Sequence, residues 1–367
     1  MAVSPLSLIR GIKYTSIDFG HNSIKYLNSR VKNGKFKLLA SGRREIPTGT
    51  IENGKVIDTH LLTKIVGDIF DEKNMNPGVL LVTPAPGQEF VRNIKMPKMP
   101  KEELQEALIW EVQDFLDLEP EEIALDYIVL EEKAEELDLL VTVISKEVLN
   151  SYLELFNNNM LKVKVFNLED MALISLLAAS NQLTDPALIL DIGTNKSKIL
   201  IAAKNKFYLS REVGTSAQDF TNLFLEGEAD YQKAEIRKKK FKFFPEQAEE
   251  TEEPENLDLM LSEIETTKTI QKQVKNLADE IIFEINRSLE YHNERYADSS
   301  VNKLYLTGGG LLLNGLVDYF KTELDNEIAL IKPLEKFYLA DNINQINNYF
   351  LATTAGTIIS EVKHNES

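Results

Sequence analysis

Two apolar runs break in the same way along this chain. In LILDIGTNKSKILI, Leu188 to Ile201, an apolar strand stops at Asp-Ile-Gly, turns and resumes as a second strand. SIDFGHNSIKYL, Ser16 to Leu27, does nearly the same. After Asp18 the pattern predicts a strand through Ile24 and Tyr26, a hairpin turn at Asn33-Gly34 and a further strand at KFKLLAS. After Asp191 it predicts a strand through Ile199 and Ile201, a turn near Lys204-Asn205 and a strand at KFYLS. Both copies share Asp-x-Gly-x-Asn-x-x-Lys: Asp18, Gly20, Asn22 and Lys25, then Asp191, Gly193, Asn195 and Lys198. A single Asp-x-Gly marks an ordinary turn. Two copies, each opening three strands, point to a duplicated domain.

The segment between the repeats follows another pattern. FVRNIKMPKMP reads as a strand ended by Pro97 and Pro100, and KEELQEALIWEVQDFL places Leu104, Leu108, Val112 and Phe115 at helical spacing. Strands around ALDYIVL and LDLLVTVIS, the helix KEVLNSYLELFNNNM and the strand LKVKVF follow, which together predict a compact α+β unit from about Phe90 to Met160 inserted in the first half. Trp110 and Phe115 are read first as core residues of that unit, with apolar anchoring of a docked segment as the alternative. Further on, the basic run Arg237 to Lys242 and the acidic run Glu246 to Glu255 read as a mobile, solvated insertion. A long helix is predicted from Ile270 to Tyr296, with Ile270, Val274, Leu277, Ile281, Ile285 and Leu289 on one face. VNKLYLTGGGLLLNGLVDYF then reads as strand, triple glycine, short loop and helix.

Composition narrows the class. The chain has 367 residues, 41 Lys and Arg against 58 Asp and Glu, and a formal net charge of -17. Such a surplus disfavours a general nucleic-acid binder or unaided adhesion to an anionic membrane. With no cysteine, disulfides and thiolate zinc sites are excluded, and the four histidines show no ligand spacing. No apolar run has the length of a membrane span, and the first residues lack a signal-peptide pattern, so a soluble intracellular chain is expected.

The repeated turns carry the candidate chemistry. A tight strand-turn-strand aims backbone N–H groups into a concavity that suits phosphate oxygens, and glycine lets backbone approach closely. Two aspartates beside a phosphate chain call for Mg²⁺, which takes few protein ligands and keeps its waters. Gly308, Gly309 and Gly310 offer bare backbone to a ribose or base. Each aspartate alone could equally cap its turn. GTIENGKV, Gly49 to Val56, misses a P-loop because Val56 stands where a hydroxyl must hold the metal.

Two Asp-x-Gly turns followed by a glycine turn resemble the actin, sugar-kinase and heat-shock-chaperone ATPase superfamily. Within it IDFGHNSIKYL, REIPTGTIENGKVID, VRNIKMPKMPKEELQEALIWEVQDFLDLEPEEIALDY, EINRSLEYH and LYLTGGGLLLNGL are similar to the type IV pilus assembly protein PilM family, a relative of the cell-division protein FtsA. The resemblance implies an α/β, actin-like (ribonuclease H-like) pair of duplicated domains around a nucleotide cleft. It divides the chain into a first domain of residues 1–89, 161–186 and 341–367, an inserted α+β subdomain at 90–160, and a second domain at 187–340 with a charged, mobile insertion near 243–269. It implies ATP and Mg²⁺ as cofactors, with Asp18 and Asp191 facing the metal directly or through water. Gly20, His21, Asn22 and Lys25 would hold the first phosphate turn and Gly193, Thr194 and Asn195 the second. Glu284 and Arg287 would reach ribose and base, with a plain i,i+3 ion pair as the alternative. Gly308, Gly309 and Gly310 would lie against the nucleotide. Glu169 stands where relatives orient the hydrolytic water, although a helix-capping role fits equally. The implied role is a cytoplasmic ATP-binding scaffold, reaching the membrane only through partners and hydrolysing ATP slowly if at all. It would dock the cytoplasmic tail of an inner-membrane PilN-like protein beside the inserted subdomain, with pilus motor ATPases and self-association as further contacts. The rivals are an FtsA-like filament-forming ATPase and an actin-fold small-molecule kinase.

Overall fold

The structure is a computed structural model that describes residues 11–116, 118–204, 206–225, 231–243, 257–339 and 349–366, the side chains of 114, 116, 257–264, 339 and 366 excepted. The acidic run Glu246 to Glu255 lies outside the described residues. The chain divides into two compact units, Met1–Asp185 with Ile201–Ser210 and Ile331–Ser367, and Pro186–Leu200 with Arg211–Leu330.

The first unit is built on a six-stranded sheet in the order Val163–Phe166, Val79–Thr83, Ile12–Phe19, Ser23–Lys32, Lys35–Glu45, Phe337–Leu339. The hairpin between the last two of its antiparallel strands turns at Asn33 and Gly34, both with positive φ (51° and 68°), the geometry that matches strand twist. One face is covered by the helices Thr59–Glu72 and Lys146–Asn158, with Ile17, Phe19, Leu62, Val66, Val82, Tyr152 and Phe156 in the shared core. The helices Glu169–Ala179 and Ala352–Glu366 pack together, and the second also lies on the strands Ile12–Phe19 and Val79–Thr83. Their approach is close: a Cβ on Gly356 would sit 2.0 Å from the carbonyl oxygen of Ala172. GTIENGKV forms a small hairpin, Ile51–Glu52 with Lys55–Val56, turning at positive-φ Asn53 and Gly54. Strand follows strand there, with no helix to receive a phosphate, and the Lys55 ammonium pairs with Glu147.

A separate antiparallel sheet, ordered Glu89–Pro97, Glu136–Ser145, Ile123–Glu132, carries the helix Lys101–Leu116 on one face. Leu104, Leu108 and Val112 are buried there with Ile94, Leu139 and Val141, as the spacing predicts. The helix Lys146–Asn158, expected with this sheet, instead buries its apolar face in the core of the six-stranded sheet. Trp110 and Phe115 depart from expectation too. Trp110 is 65% exposed because it projects opposite the Leu104–Leu108–Val112 stripe, and Phe115 is 45% exposed because it lies in the last helical turn. Phe115 meets Phe90 edge-on, and the Arg92 guanidinium stands 4.1 Å from its ring centre.

The second sheet runs Lys206–Val213, Ser197–Ala203, Ala187–Ile192, Lys303–Thr307, Glu327–Leu330. Its central pair is parallel and in register from Ala187 against Lys303 to Asp191 against Thr307. The long helix is Leu257–Arg295, longer than its periodicity predicts, and it buries Val274, Ala278, Ile281, Ile285, Ser288 and His292 along one stripe. The basic run also differs from expectation. Its first four residues, Arg237 to Lys240, belong to the helix Tyr231–Lys240, where Lys238 is only 1% exposed. The Lys238 ammonium pairs with Glu235 at 2.5 Å and donates to the Thr221 hydroxyl at 2.6 Å, so a buried charge is satisfied locally.

Candidate functional site

In the first unit, the strand Ile12–Phe19 delivers Asp18 to its end, in register with Lys25 on the next strand. Asp18 is buried, and its Oδ2 lies 3.1 Å from the Lys25 ammonium, which offsets the cost of a carboxylate out of water. The Gly20 N–H donates to the Ser23 carbonyl at 2.9 Å and closes the turn. Half-buried His21 and Asn22 sit at its tip, and the buried Asn22 Oδ1 has no hydrogen-bond partner among the described residues. A buried acceptor without a partner is costly unless something else occupies it.

In the second unit, Asp191 and the glycine loop form one cradle. Gly308 has φ 97°, and a Cβ there would come within 2.3 Å of the Asp191 Oδ1 and 2.6 Å of the Ile192 nitrogen. A Cβ on Gly310 would collide with Ile192 Cγ2 at 2.1 Å. Gly309 differs, since a Cβ there would meet nothing within 4 Å. The flanking glycines are thus required by packing on the Asp191 strand, and the middle one leaves open space. The Asp191 turn is also fixed from below. The carbonyls of Gly193 and Thr194 accept from Ala217 N (2.9 Å) and Gln218 N (3.0 Å) at the start of the helix Ala217–Asn222, which Ser216 and Asp219 close with a capping box. Asn195 is exposed, and the adjacent Lys196 turns away to pair with Glu212.

The long helix borders a pocket of 620 Å³ formed with Val213, Gly214 and Thr215. Asn276, Glu280, Phe283 and Glu284 line its helical side, and Thr215 donates to Glu280 at 2.7 Å. Glu284 is held by Arg211, whose NH2 lies 2.5 Å from its carboxylate and whose Nε donates to Ser288 Oγ at 2.8 Å. Arg287, 65% exposed, makes the i,i+3 contact with Glu284 at 3.7 Å and is not among the pocket residues. The spacing reading missed Arg211, Thr215 and Glu280. Ser216-x-x-Asp219 is a helix-start signal that could have placed the Gly214–Thr215 turn. Glu169 is the first residue of the helix Glu169–Ala179 and half-buried, where a carboxylate is favoured by the helix dipole.

These features fit a magnesium nucleotide. Within the second unit the Gly309 opening provides room that a side chain would fill. Within the first unit, taken by itself, the unmatched Asn22 oxygen offers a polar contact. No group of three or more His, Asp or Glu side chains suited to a metal occurs among the described residues. Mg²⁺ on a phosphate chain needs only one or two carboxylates.

Solved structures place the architecture. The PilM-PilN type IV pilus biogenesis complex matches with a TM-score of 0.77 at 20% identity, over 95% of this chain and 98% of that one. The ethanolamine utilization protein EutJ from Carboxydothermus hydrogenoformans matches at TM-score 0.54 and 12% identity, over 95% and 89%. MreB5 of Spiroplasma citri bound to ADP matches at 0.54 and 15%, over 97% and 98%. The fold is therefore actin-like, an α/β architecture with two repeats of the strand–Asp–turn unit. A comparison with curated protein sequences gave no match. The chain belongs to the type IV pilus assembly protein PilM family, whose profile matches residues 16–354. No described helix is long and apolar enough to cross a membrane.

Proposed function

We propose that this pilus-assembly protein binds ATP with Mg²⁺ and works as a cytoplasmic scaffold that docks the cytoplasmic N-terminal tail of an inner-membrane PilN-like partner. The observation that carries the nucleotide reading is the glycine cradle, packed tightly at Gly308 and Gly310 and open at Gly309. In this reading Gly193, Thr194 and Asn195 present the second turn to phosphate oxygens, with Gly20, His21, Asn22 and Lys25 presenting the first. Asp18 and Asp191 hold the metal directly or through its waters. Bound Mg²⁺ supplies positive charge that lets two carboxylates stand beside a triphosphate. Glu284 is oriented by Arg211 toward the pocket that suits a ribose and base. Exposed Arg287, now 3.7 Å from Glu284, would exchange that ion pair for a contact with the same ligand. Glu169 orients a water for slow turnover.

The partner half of the proposal is supported by family membership and by the likeness to a protein solved together with PilN. Contacts with pilus motor ATPases and self-association belong to the same reading. The nucleotide half is tested by titrating a fluorescent ATP analogue with Mg²⁺ into the wild type, Asp18→Ala and Asp191→Ala. Saturable binding that both variants weaken is expected; indistinguishable curves for all three would overturn the site. The partner half is tested by identifying the membrane protein that co-purifies from cells. Co-purification only of proteins without a short cytoplasmic tail would remove it.

A further inference from the structure

The helix Lys101–Leu116 buries one stripe and turns the other outward, and on the outward side stands the chain's single tryptophan. Trp110 is 65% exposed, an unusual position for so large an apolar group. Glu106 and Glu103 precede it by four and seven positions and so share its face, and both are exposed. Among the described residues neither has a cationic partner, nor do exposed Glu102 and Glu111. Glu111 falls in the C-terminal half of the helix, where the dipole disfavours negative charge, so helix stability does not account for it. Residues 89–145 hold sixteen Asp and Glu against five Lys and Arg. That surplus is the larger part of the chain's net charge of -17.

We infer that this outward helix face is a docking surface for a Lys/Arg-rich protein segment, with Trp110 as its anchor. An arginine of such a segment stacks on the indole while Glu103 and Glu106 accept its N–H groups, a combination of cation–π contact and charge-assisted hydrogen bonds. An apolar residue beside that arginine covers the remaining indole surface. Charge complementarity selects this occupant over others. An anionic lipid surface or a nucleic acid is repelled by the carboxylates, and a second copy would present the same sign. The surface lies outside the glycine cradle and the Asp18 turn, so the inference does not depend on nucleotide binding.

Because Trp110 is the only tryptophan, its emission in the full-length wild type reports the surface directly. A synthetic peptide of alternating arginine and leucine should shift that emission saturably to shorter wavelength. With a labelled peptide, Trp110→Ala and Glu106→Lys should each weaken binding at least about tenfold, while Glu323→Lys, at an exposed position of the helix Leu316–Glu323, should stay within about twofold. An unmoved emission overturns the inference, as does equal weakening by all three variants, which would mean diffuse attraction to net charge. Phosphatidylglycerol vesicles that shift the emission, or an oligomer that Trp110→Ala dissolves, would assign the face to a membrane or to a second copy and overturn it equally.

Discussion

Gly308, Gly309 and Gly310 are alike in the sequence and unlike in the structure. The outer two are pinned against Asp191 and Ile192, and the middle one faces open space without a positive φ. Gly309→Val should therefore leave stability within about 0.5 kcal/mol, as for an unconstrained surface site. In the same variant, ATP affinity should fall at least about tenfold, a loss of about 1.4 kcal/mol. Gly308→Ala should instead destabilise by at least about 1–3 kcal/mol, because an alanine at φ 97° is strained before it meets Asp191. Thermal melts and nucleotide titrations on both variants separate the two effects. At this scale the sequence showed the glycines and aspartates as a set, since turn chemistry is local. It could not show which glycine answers to packing and which to a ligand, because that depends on a neighbouring strand more than a hundred positions away. Arg211 escaped for the same reason: its partners Glu284 and Ser288 lie on another element.

Elements were legible where periodicity was strong, as in the Asp18 and Asp191 strands and the Leu104–Leu108–Val112 stripe. The helix Tyr231–Lys240 shows what composition hides. A run of lysines looks solvated, yet one of them is the buried tie between that helix and Ala217–Asn222. Lys238→Met should cost about 3–5 kcal/mol by leaving Glu235 without its main counter-charge. Adding Glu235→Leu should recover much of that loss in a melt of the double variant. Glu235 also gives a pH prediction. Burial pushes its carboxyl up, but the Lys238 ammonium, with hydrogen bonds from Lys238 and Thr221, outweighs this and holds it below the ordinary value. A depressed folded value means the stabilisation is complete above the ordinary glutamate value of about 4.3 and is lost as pH falls through the folded one. Glu235→Gln should flatten the acid side of the Tm profile. A variant whose acid limb matched the wild type would contradict this.

For the whole molecule, a ligand that binds only the folded state raises stability by mass action. Mg²⁺ and ATP at a hundredfold excess over Kd should add about 2.7 kcal/mol, visible as a higher Tm that Asp191→Ala and chelation both remove. The duplicated design was legible at this scale because two copies of one pattern are visible without any contact. The placement of the helix Lys146–Asn158 was not, since an apolar face does not state which sheet it will cover. The closing helix Ala352–Glu366 has a consequence for synthesis. It covers strands made near the start of translation, and the whole of Pro186–Leu330 is translated in between. At about 5–20 residues per second, roughly fifteen to fifty-five seconds separate the synthesis of Thr83 from that of Glu366. During this interval the nascent first unit exposes apolar sheet surface that a holdase would bind. A chain stalled before Ala352 should be cut by protease within its first sheet, and one stalled after the helix has emerged should resist.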